Sequence, residues 1–193
     1  DALDLGNYPS IRFGLEAALL DFINGDHGIL FPDIFRDKPV EIPINGLVWM
    51  ADSDQMLAEA IQKVNAGFDC IKFKVGALDF DAECRMLENF RRFFPASKVM
   101  VRLDANGAFA PIEALEKLKE LSRFGVQSIE QPIAAKQWND MAKICRDGRI
   151  PVALDEELIG IEESSEIKKM LQYIQPGFLV LKPSLLGGFN QSQ

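Results

Sequence analysis

From residue 44 onward the apolar positions switch repeatedly between two periods, short runs of period two alternating with longer segments of period 3.6. The period-two runs predict strands at 44–50, 70–75, 99–104, 128–130, 152–155 and 178–182. Between them the pattern predicts helices from a cap at Asp52 or Ser53 to about residue 65, then over 79–94, 111–124, 137–146 and 161–173. Punctuation agrees: Ala66-Gly67 closes the first helix, Pro95 stops the second, and Pro111 suits the first turn of the third. Six strands alternating with helices through short connections predict a parallel sheet in an α/β fold. Upstream, Ile11, Leu15, Ala18, Leu19, Phe22 and Ile23 recur at helical spacing behind Ser10, a candidate N-cap, and Asn24-Gly25 ends the run. Such a helix should pack its apolar stripe on another element. A connector punctuated by proline, from Phe31-Pro32 through Lys38-Pro39 to Ile42-Pro43, is expected to mark a domain boundary.

Parity within the strands decides where the charges point, because alternate side chains face opposite sides of a sheet. Ile71, Phe73 and Val75 share one face, so Lys72 and Lys74 share the other. Val101 and Leu103 likewise oppose Arg102 and Asp104, Ile129 opposes Glu130, Val152 and Leu154 oppose Asp155, and Leu179 and Leu181 oppose Lys182. Asp104, Glu130, Asp155 and Lys182 each end a strand, at intervals of 26, 25 and 27 residues. One strand plus its crossover helix takes about 30 residues, so these side chains would converge on the C-terminal face where barrel enzymes place their catalysis.

Carboxylates gathered in an apolar lumen demand a cation. Three of them on consecutive strands offer oxygen-only ligands of the kind Mg²⁺ prefers. Taken singly, Asp104, Glu130 and Asp155 could each cap a βα turn; in register they read as metal ligands. Asn106, on the parity of Asp104, either orients that ligand or is a turn residue before Gly107. Glu156 has the opposite parity from Asp155 and reads as a supporting or structural residue rather than a direct ligand. Lys72 and Lys74 sit on a strand buried on both faces, where a lysine beside other cations and a metal can serve as a neutral base. Lys182, farther along the strand series, would approach from the opposite side.

Composition narrows the setting. With 48% apolar residues, a formal net charge of −8 and a pI near 4.8, the 193 residues can bury a substantial core but present no general surface for nucleic acid or an anionic membrane. Small anionic substrates stay open, since local lysines or a metal override the global sign. Cys70, Cys84 and Cys145 lack CxxC spacing, which suits small buried hydrophobes in a reducing compartment. No apolar run nears the ~20 residues of a membrane span and no signal peptide opens the chain, so a cytoplasmic location is expected. Because the chain opens at Asp1 without a methionine and moves at once into a helical pattern, it is expected to be the middle of a longer protein.

The strand-end segments Ile71-Lys72-Phe73-Lys74-Val75, Val101-Arg102-Leu103-Asp104-Ala105-Asn106-Gly107, Ser128-Ile129-Glu130-Gln131-Pro132, Ala153-Leu154-Asp155-Glu156 and Leu181-Lys182-Pro183-Ser184 resemble the enolase superfamily, in its muconate-lactonizing branch. The resemblance runs from about Pro9 to the last residue. Within the branch, Ile44-Asn45-Gly46-Leu47-Val48-Trp49 and Leu154-Asp155-Glu156-Glu157-Leu158-Ile159-Gly160 are most similar to the o-succinylbenzoate synthase group.

That likeness implies a (β/α) barrel of the TIM type, here with only about six strands, preceded by the last helix of an α+β capping domain. Residues 1–42 would be a remnant of that domain with its connector, and 43–193 a partial barrel catalytic domain. It implies Asp104, Glu130 and Asp155 as ligands of Mg²⁺, with Mn²⁺ as the alternative, and Lys74 as the base that removes a proton α to the carboxylate of a small anionic substrate. The metal would stabilise the enediolate. In the synthase reaction a cyclohexadiene then loses its hydroxyl as Lys74 returns the proton, so water leaves and the ring becomes aromatic. This is a syn β-elimination by a carbon–oxygen lyase of menaquinone biosynthesis. Lys182 is implied as a cation–π support of the intermediate, or as the opposite-face acid in epimerases; Lys72 would ease proton loss from Lys74 and help bind the carboxylate. The alternatives are a dipeptide epimerase or N-acylamino acid racemase, and a catalytically inactive barrel. The family's seventh and eighth strands have no counterpart in these 193 residues, so the chain by itself is expected to show little activity.

Overall fold

A computed structural model of the protein describes residues 5–25, 28–35, 41–161 and 163–193; the Lys38-Pro39 part of the expected connector lies outside them. In chain order the elements are α1 (Pro9–Ile23), α2 (Pro32–Phe35), β1 (Gly46–Val48), α3 (Ser53–Asn65), β2 (Cys70–Lys74), α4 (Phe80–Phe93), β3 (Met100–Asp104), α5 (Pro111–Leu121), β4 (Val126–Glu130), α6 (Trp138–Asp147), β5 (Val152–Leu154), α7 (Ser164–Ile174), β6 (Phe178–Leu179) and α8 (Pro183–Leu186). They fall into two units, one of Ile44–Glu157 and Lys169–Val180, the other of Asp1–Pro43, Leu158–Lys168 and Leu181–Gln193.

The larger unit holds all six strands in one parallel sheet, each hydrogen-bonded to the next in sequence. Consecutive order throughout is that of a (β/α) barrel wall, whereas a doubly wound sheet reverses at a switch point. The fold is therefore α/β of the TIM type with six strands. Ile71, Phe73, Val75, Val101, Leu103, Ile129, Val152 and Leu154 are all buried, as parity requires, and Phe73 meets Phe90 of α4 edge-on at 5.2 Å. Each such side chain contributes roughly 1.5–3 kcal/mol through burial. The helices that cover this face start where the sequence says. Asp52 accepts the N–H of Gln55, and Asp79 that of Ala82, capping α3 and α4.

Both outer strands are shorter than the alternation suggests. β1 covers only Gly46–Val48 and β6 only Phe178–Leu179, with Ile44, Trp49 and Leu179 exposed. Each has one neighbour in the ladder, so apolar alternation there is not converted into pairing and burial. β4, by contrast, starts earlier than predicted, at Val126, and a register shift between Val101 and Arg102 accommodates the added residues. Polar Gln127 hides that strand start from a reading based on alternation.

One arginine does much of the polar stitching. From α4, Arg91 donates to the carbonyls of Phe124 (2.6 Å), Phe94 (3.2 Å), Val99 (2.7 Å) and Gly125 (3.1 Å). Only a guanidinium can serve four acceptors spread around a plane. Arg91→Ala should therefore cost on the order of 3 kcal/mol by urea denaturation, and Arg91→Lys should recover little of it. A loss below about 0.5 kcal/mol would show that water replaces the arginine.

In the smaller unit the sequence reading is corrected in three places. Tyr8, not Ser10, occupies the N-cap of α1, and the Ser10 hydroxyl donates instead to the Ser184 carbonyl at 2.9 Å. No residue of α1 is buried, and Leu19, Phe22 and Ile23 of the expected stripe are exposed. Contact is made outside that stripe: the Phe13 ring meets Phe189 edge-on at 5.2 Å, Arg12 donates to the carbonyls of Leu186 and Gly187 at the end of α8, and Glu16 accepts the N–H groups of Phe189 and Asn190. Gly187, at φ +99°, adopts the left-handed backbone that a side-chain-bearing residue would find strained. Finally, Pro32 begins a four-residue helix where the sequence suggested only a connector, and Pro183 begins another that the pattern did not predict.

No helix among the described residues is long and apolar enough to cross a membrane. The three cysteines are free thiols, and burial pushes Cys84 and Cys145 up to about 11, so neither is a nucleophile at neutral pH.

Candidate active site

Strand register assembles the site. Lys74 lies beside Asp104 in the β2–β3 ladder, Asp104 beside Glu130 in the β3–β4 ladder, and Glu130 beside Ala153 in the β4–β5 ladder, two residues before Asp155. Asp104, Glu130 and Asp155 are buried, at 1%, 5% and 1% exposure. Two ammonium groups lie among them. Lys74 Nζ donates to Asp104 Oδ2 at 2.6 Å; Lys72 Nζ donates to the same oxygen at 3.1 Å and to Glu130 Oε2 at 2.9 Å.

Asn106 and Glu156 extend the chain of contacts. Lys74 also donates to Asn106 Oδ1 at 2.6 Å, and Asn106 Nδ2 donates to Glu156 Oε1 at 2.9 Å. The Asn106 N–H returns to Asp104 Oδ1 at 3.1 Å. A left-handed turn makes this geometry available: Asn106 has φ +44° and Gly107 φ +76°, and a Cβ on Gly107 would stand 2.9 Å from the Cα of Ala134. Asn106 thus stands in the turn before Gly107, in contact with both Asp104 and Lys74. Glu156 Oε2 is buried without a hydrogen-bond partner among the described residues.

The charges are strongly interdependent. Burial alone would raise the Asp104 carboxyl, but the Lys74 hydrogen bond and the charges of Lys72 and Lys74 outweigh it and hold the carboxyl below its ordinary value. Glu130 goes the other way. Burial raises it, Lys72 only partly offsets this, and the neighbouring charges of Asp104 and Asp155 add repulsion. Burial pulls Lys72 down, yet its contacts with Glu130 and Asp104 leave it above the ordinary lysine value, so it is a firm cation at neutral pH.

Asp155 and Lys182 complete the sequence-derived residues. Asp155 directly follows β5, and its N–H donates to Gln131 Oε1 at 3.2 Å; repulsion with Glu130 marks its proximity. Lys182 belongs to the smaller unit, at the N-cap of α8, because the strand predicted over 178–182 stops at Leu179. Three residues escaped the sequence reading. Trp49 places its ring 5.7 Å from Lys74 Nζ. Gln131 and Glu157 are buried polar side chains joined to each other and to the end of β5. The available signal was a glutamine wedged between a strand-end glutamate and a proline.

Whether the residues suit a divalent cation can be tested on their chemistry. Three buried carboxylates on adjacent strand ends, mutually repelling, together with a partnerless buried carboxylate oxygen, form a hard, oxygen-rich donor set that fits such an ion. Among the described residues, however, no three acidic, histidine or cysteine side chains form a ready metal cluster. Lys72 and Lys74 act as the counter-ions.

Comparison with known proteins agrees with this architecture. The profile of the enolase C-terminal domain-like family matches residues 55–193. An o-succinylbenzoate synthase from Desulfotalea psychrophila is 44% identical over 96% of this chain, which spans 50% of that relative's length. The crystal structure of MenC from Desulfotalea psychrophila LSv54 superposes with a TM-score of 0.89 at 43% identity, covering 98% of this chain and 52% of that one. A dipeptide epimerase from Cytophaga hutchinsonii, solved with Mg and the dipeptide D-Ala-L-Val, shares the fold, with a TM-score of 0.79 at 24% identity, over 94% of this chain and 48% of its own. The register of the sheet, the charged strand ends and the profile match lead to one assignment: this chain belongs to the enolase C-terminal domain-like family of the enolase superfamily.

Proposed function

We propose that this chain carries the acid–base and metal-binding centre of an o-succinylbenzoate synthase, which dehydrates a hydroxycyclohexadiene dicarboxylate in menaquinone biosynthesis. The supporting observation is the lysine–carboxylate network in which Lys72 bridges Asp104 and Glu130 and Lys74 shares the Asp104 oxygen, at the C-terminal ends of β2 to β4. The 44% identity to a synthase over nearly the whole chain supports the choice of reaction.

In this reading Asp104, Glu130 and Asp155 hold Mg²⁺, or Mn²⁺ in its place. When bound, the ion supplies positive charge beside the substrate carboxylate, where negative charge develops. Lys74 removes the α-proton at its Nζ and returns it to the departing hydroxyl, on one face of the ring. Asn106, itself held by Glu156, aims Lys74, and the Trp49 ring stands over it. Lys72, a firm cation, binds the carboxylate. Lys182 is assigned the support of the electron-rich ring by a cation–π contact. Residues 1–42 are assigned to the end of a capping domain and its connector, and 43–193 to part of a catalytic barrel.

The likeness to a dipeptide epimerase favours one second reading, in which the same base begins a 1,1-proton transfer and Lys182 acts as the opposite-face acid. Incubating the gene product with the hydroxycyclohexadiene dicarboxylate and Mg²⁺ separates the two. The synthase reading expects the ultraviolet absorption of an aromatic product. Silence in that assay, together with α-proton exchange on a dipeptide, would favour the epimerase.

A further inference from the structure

We infer that Gln131 is a positioning residue that fixes the spacing of the Glu130 and Asp155 carboxylates, and through them which divalent cation the site accepts. The inference rests on the metal-binding reading above.

Gln131 is fully buried, and its backbone is left-handed, with φ +39°. A residue other than glycine adopts that conformation only where its surroundings compel it. Here every polar group of the residue is engaged. Its N–H donates to the Ala153 carbonyl at 2.9 Å and its carbonyl accepts the Gly107 N–H at 2.7 Å. Its side-chain Oε1 accepts the N–H groups of Asp155 at 3.2 Å and Glu157 at 3.3 Å, while Nε2 donates to the Ile133 carbonyl at 3.0 Å and Glu157 Oε2 at 3.3 Å. Two donors face one end of the amide and two acceptors face the other, so the reversed amide would meet four mismatches. Glu157 is buried as well, and its other oxygen accepts the Lys136 N–H at 2.7 Å.

One residue thus ties together the turn after Asp104, the strand end carrying Glu130 and the backbone of Asp155. It does so without touching their carboxylates. Such bracing matters most for an ion that demands short, nearly octahedral bonds of about 2.0–2.1 Å, as Mg²⁺ does, and least for Ca²⁺, which accepts about 2.3–2.6 Å in flexible arrangements. A residue that merely fills space would affect both ions alike.

The test is calorimetric titration of the gene product with Mg²⁺ and with Ca²⁺, for the unsubstituted protein, Gln131→Met and Leu118→Ala. Methionine keeps the length of the side chain and removes its amide. Leu118 is fully buried on α5, so its truncation supplies a stability loss away from the carboxylates. Gln131→Met is expected to weaken Mg²⁺ binding about 10- to 100-fold, as losses behind metal ligands do, with a smaller effect on Ca²⁺, while Leu118→Ala keeps the ratio of the two affinities. A ratio within about twofold of the unsubstituted protein in Gln131→Met, or an equal shift in Leu118→Ala, would overturn the inference. Should Gln131→Met not fold, Glu157→Gln decides: it keeps the side-chain shape but loses one hydrogen bond, so the ratio should shift in the same direction, and an unchanged ratio overturns the inference. Failure of the unsubstituted protein to bind Mg²⁺ would overturn the metal reading itself and this inference with it.

Discussion

Lys74→Ala should abolish measurable α-proton exchange, with kcat falling by about 10³-fold while KM moves little. The expectation follows from placement. Lys74 Nζ is held by Asp104 Oδ2 and Asn106 Oδ1 beside the ring of Trp49, with a side chain only 11% exposed, and the other amine on this face of β2, Lys72, is kept a firm cation by Glu130 and Asp104 and so cannot accept the proton in its place. Lys74→Arg should not restore activity, because a guanidinium does not give up its proton near neutral pH. Lys72→Ala gives the contrast, with a larger effect on KM than on kcat if its task is to bind the carboxylate. Exchange in Lys74→Ala within about tenfold of the unsubstituted rate would remove Lys74 from the role of base.

Asp104→Asn should have the second large effect, and it is legible in stability as well as activity. A single oxygen, Oδ2, accepts both ammonium groups, and the residue is 1% exposed. Neutralising it leaves two half-buried cations with Glu130 and Asn106 as their remaining partners, which should cost about 3–5 kcal/mol by urea denaturation at pH 7. The pH dependence has a definite sign. The Asp104 carboxyl is held below its ordinary value of 3.8, because the Lys74 hydrogen bond and the two lysine charges outweigh the effect of burial. Its contribution to stability is therefore fully present above 3.8 and is lost as pH falls through the lowered value, so the deficit of Asp104→Asn should shrink on strong acidification. Glu130 behaves oppositely. Raised by burial and by repulsion from Asp104 and Asp155, its ionised form weighs against the fold at neutral pH, and Glu130→Gln should be far less costly. Equal losses in both variants would contradict the division of charge described here.

Much of this was legible in the sequence because parity is local. Lys72 and Lys74 had to oppose Ile71, Phe73 and Val75, and Asp104 and Glu130 had to oppose Leu103 and Ile129; once the strands are parallel and consecutive, the charged ends meet. The apolar stripe of α1 misled, because periodicity gives a face but not a partner, and the contacts of Arg12 and Glu16 with residues 186–190 depend on sequence-distant backbone groups. The outer strands misled for a related reason. Alternation at 44–50 and 178–182 is the same text as in a central strand, but burial needs a neighbour on each side. Gln131 and Glu157 were missed since a buried polar side chain is recognisable only by the backbone groups it satisfies, and those are shared between the two separate connections that follow β4 and β5.

The central claim is tested most directly by an anomalous difference map from a crystal of the gene product soaked in Mn²⁺. One peak within bonding distance of carboxylate oxygens from Asp104, Glu130 and Asp155 together is the expected result. A peak elsewhere, or none while Lys72 still bridges Asp104 and Glu130 and Lys74 still holds Asp104, would contradict the account.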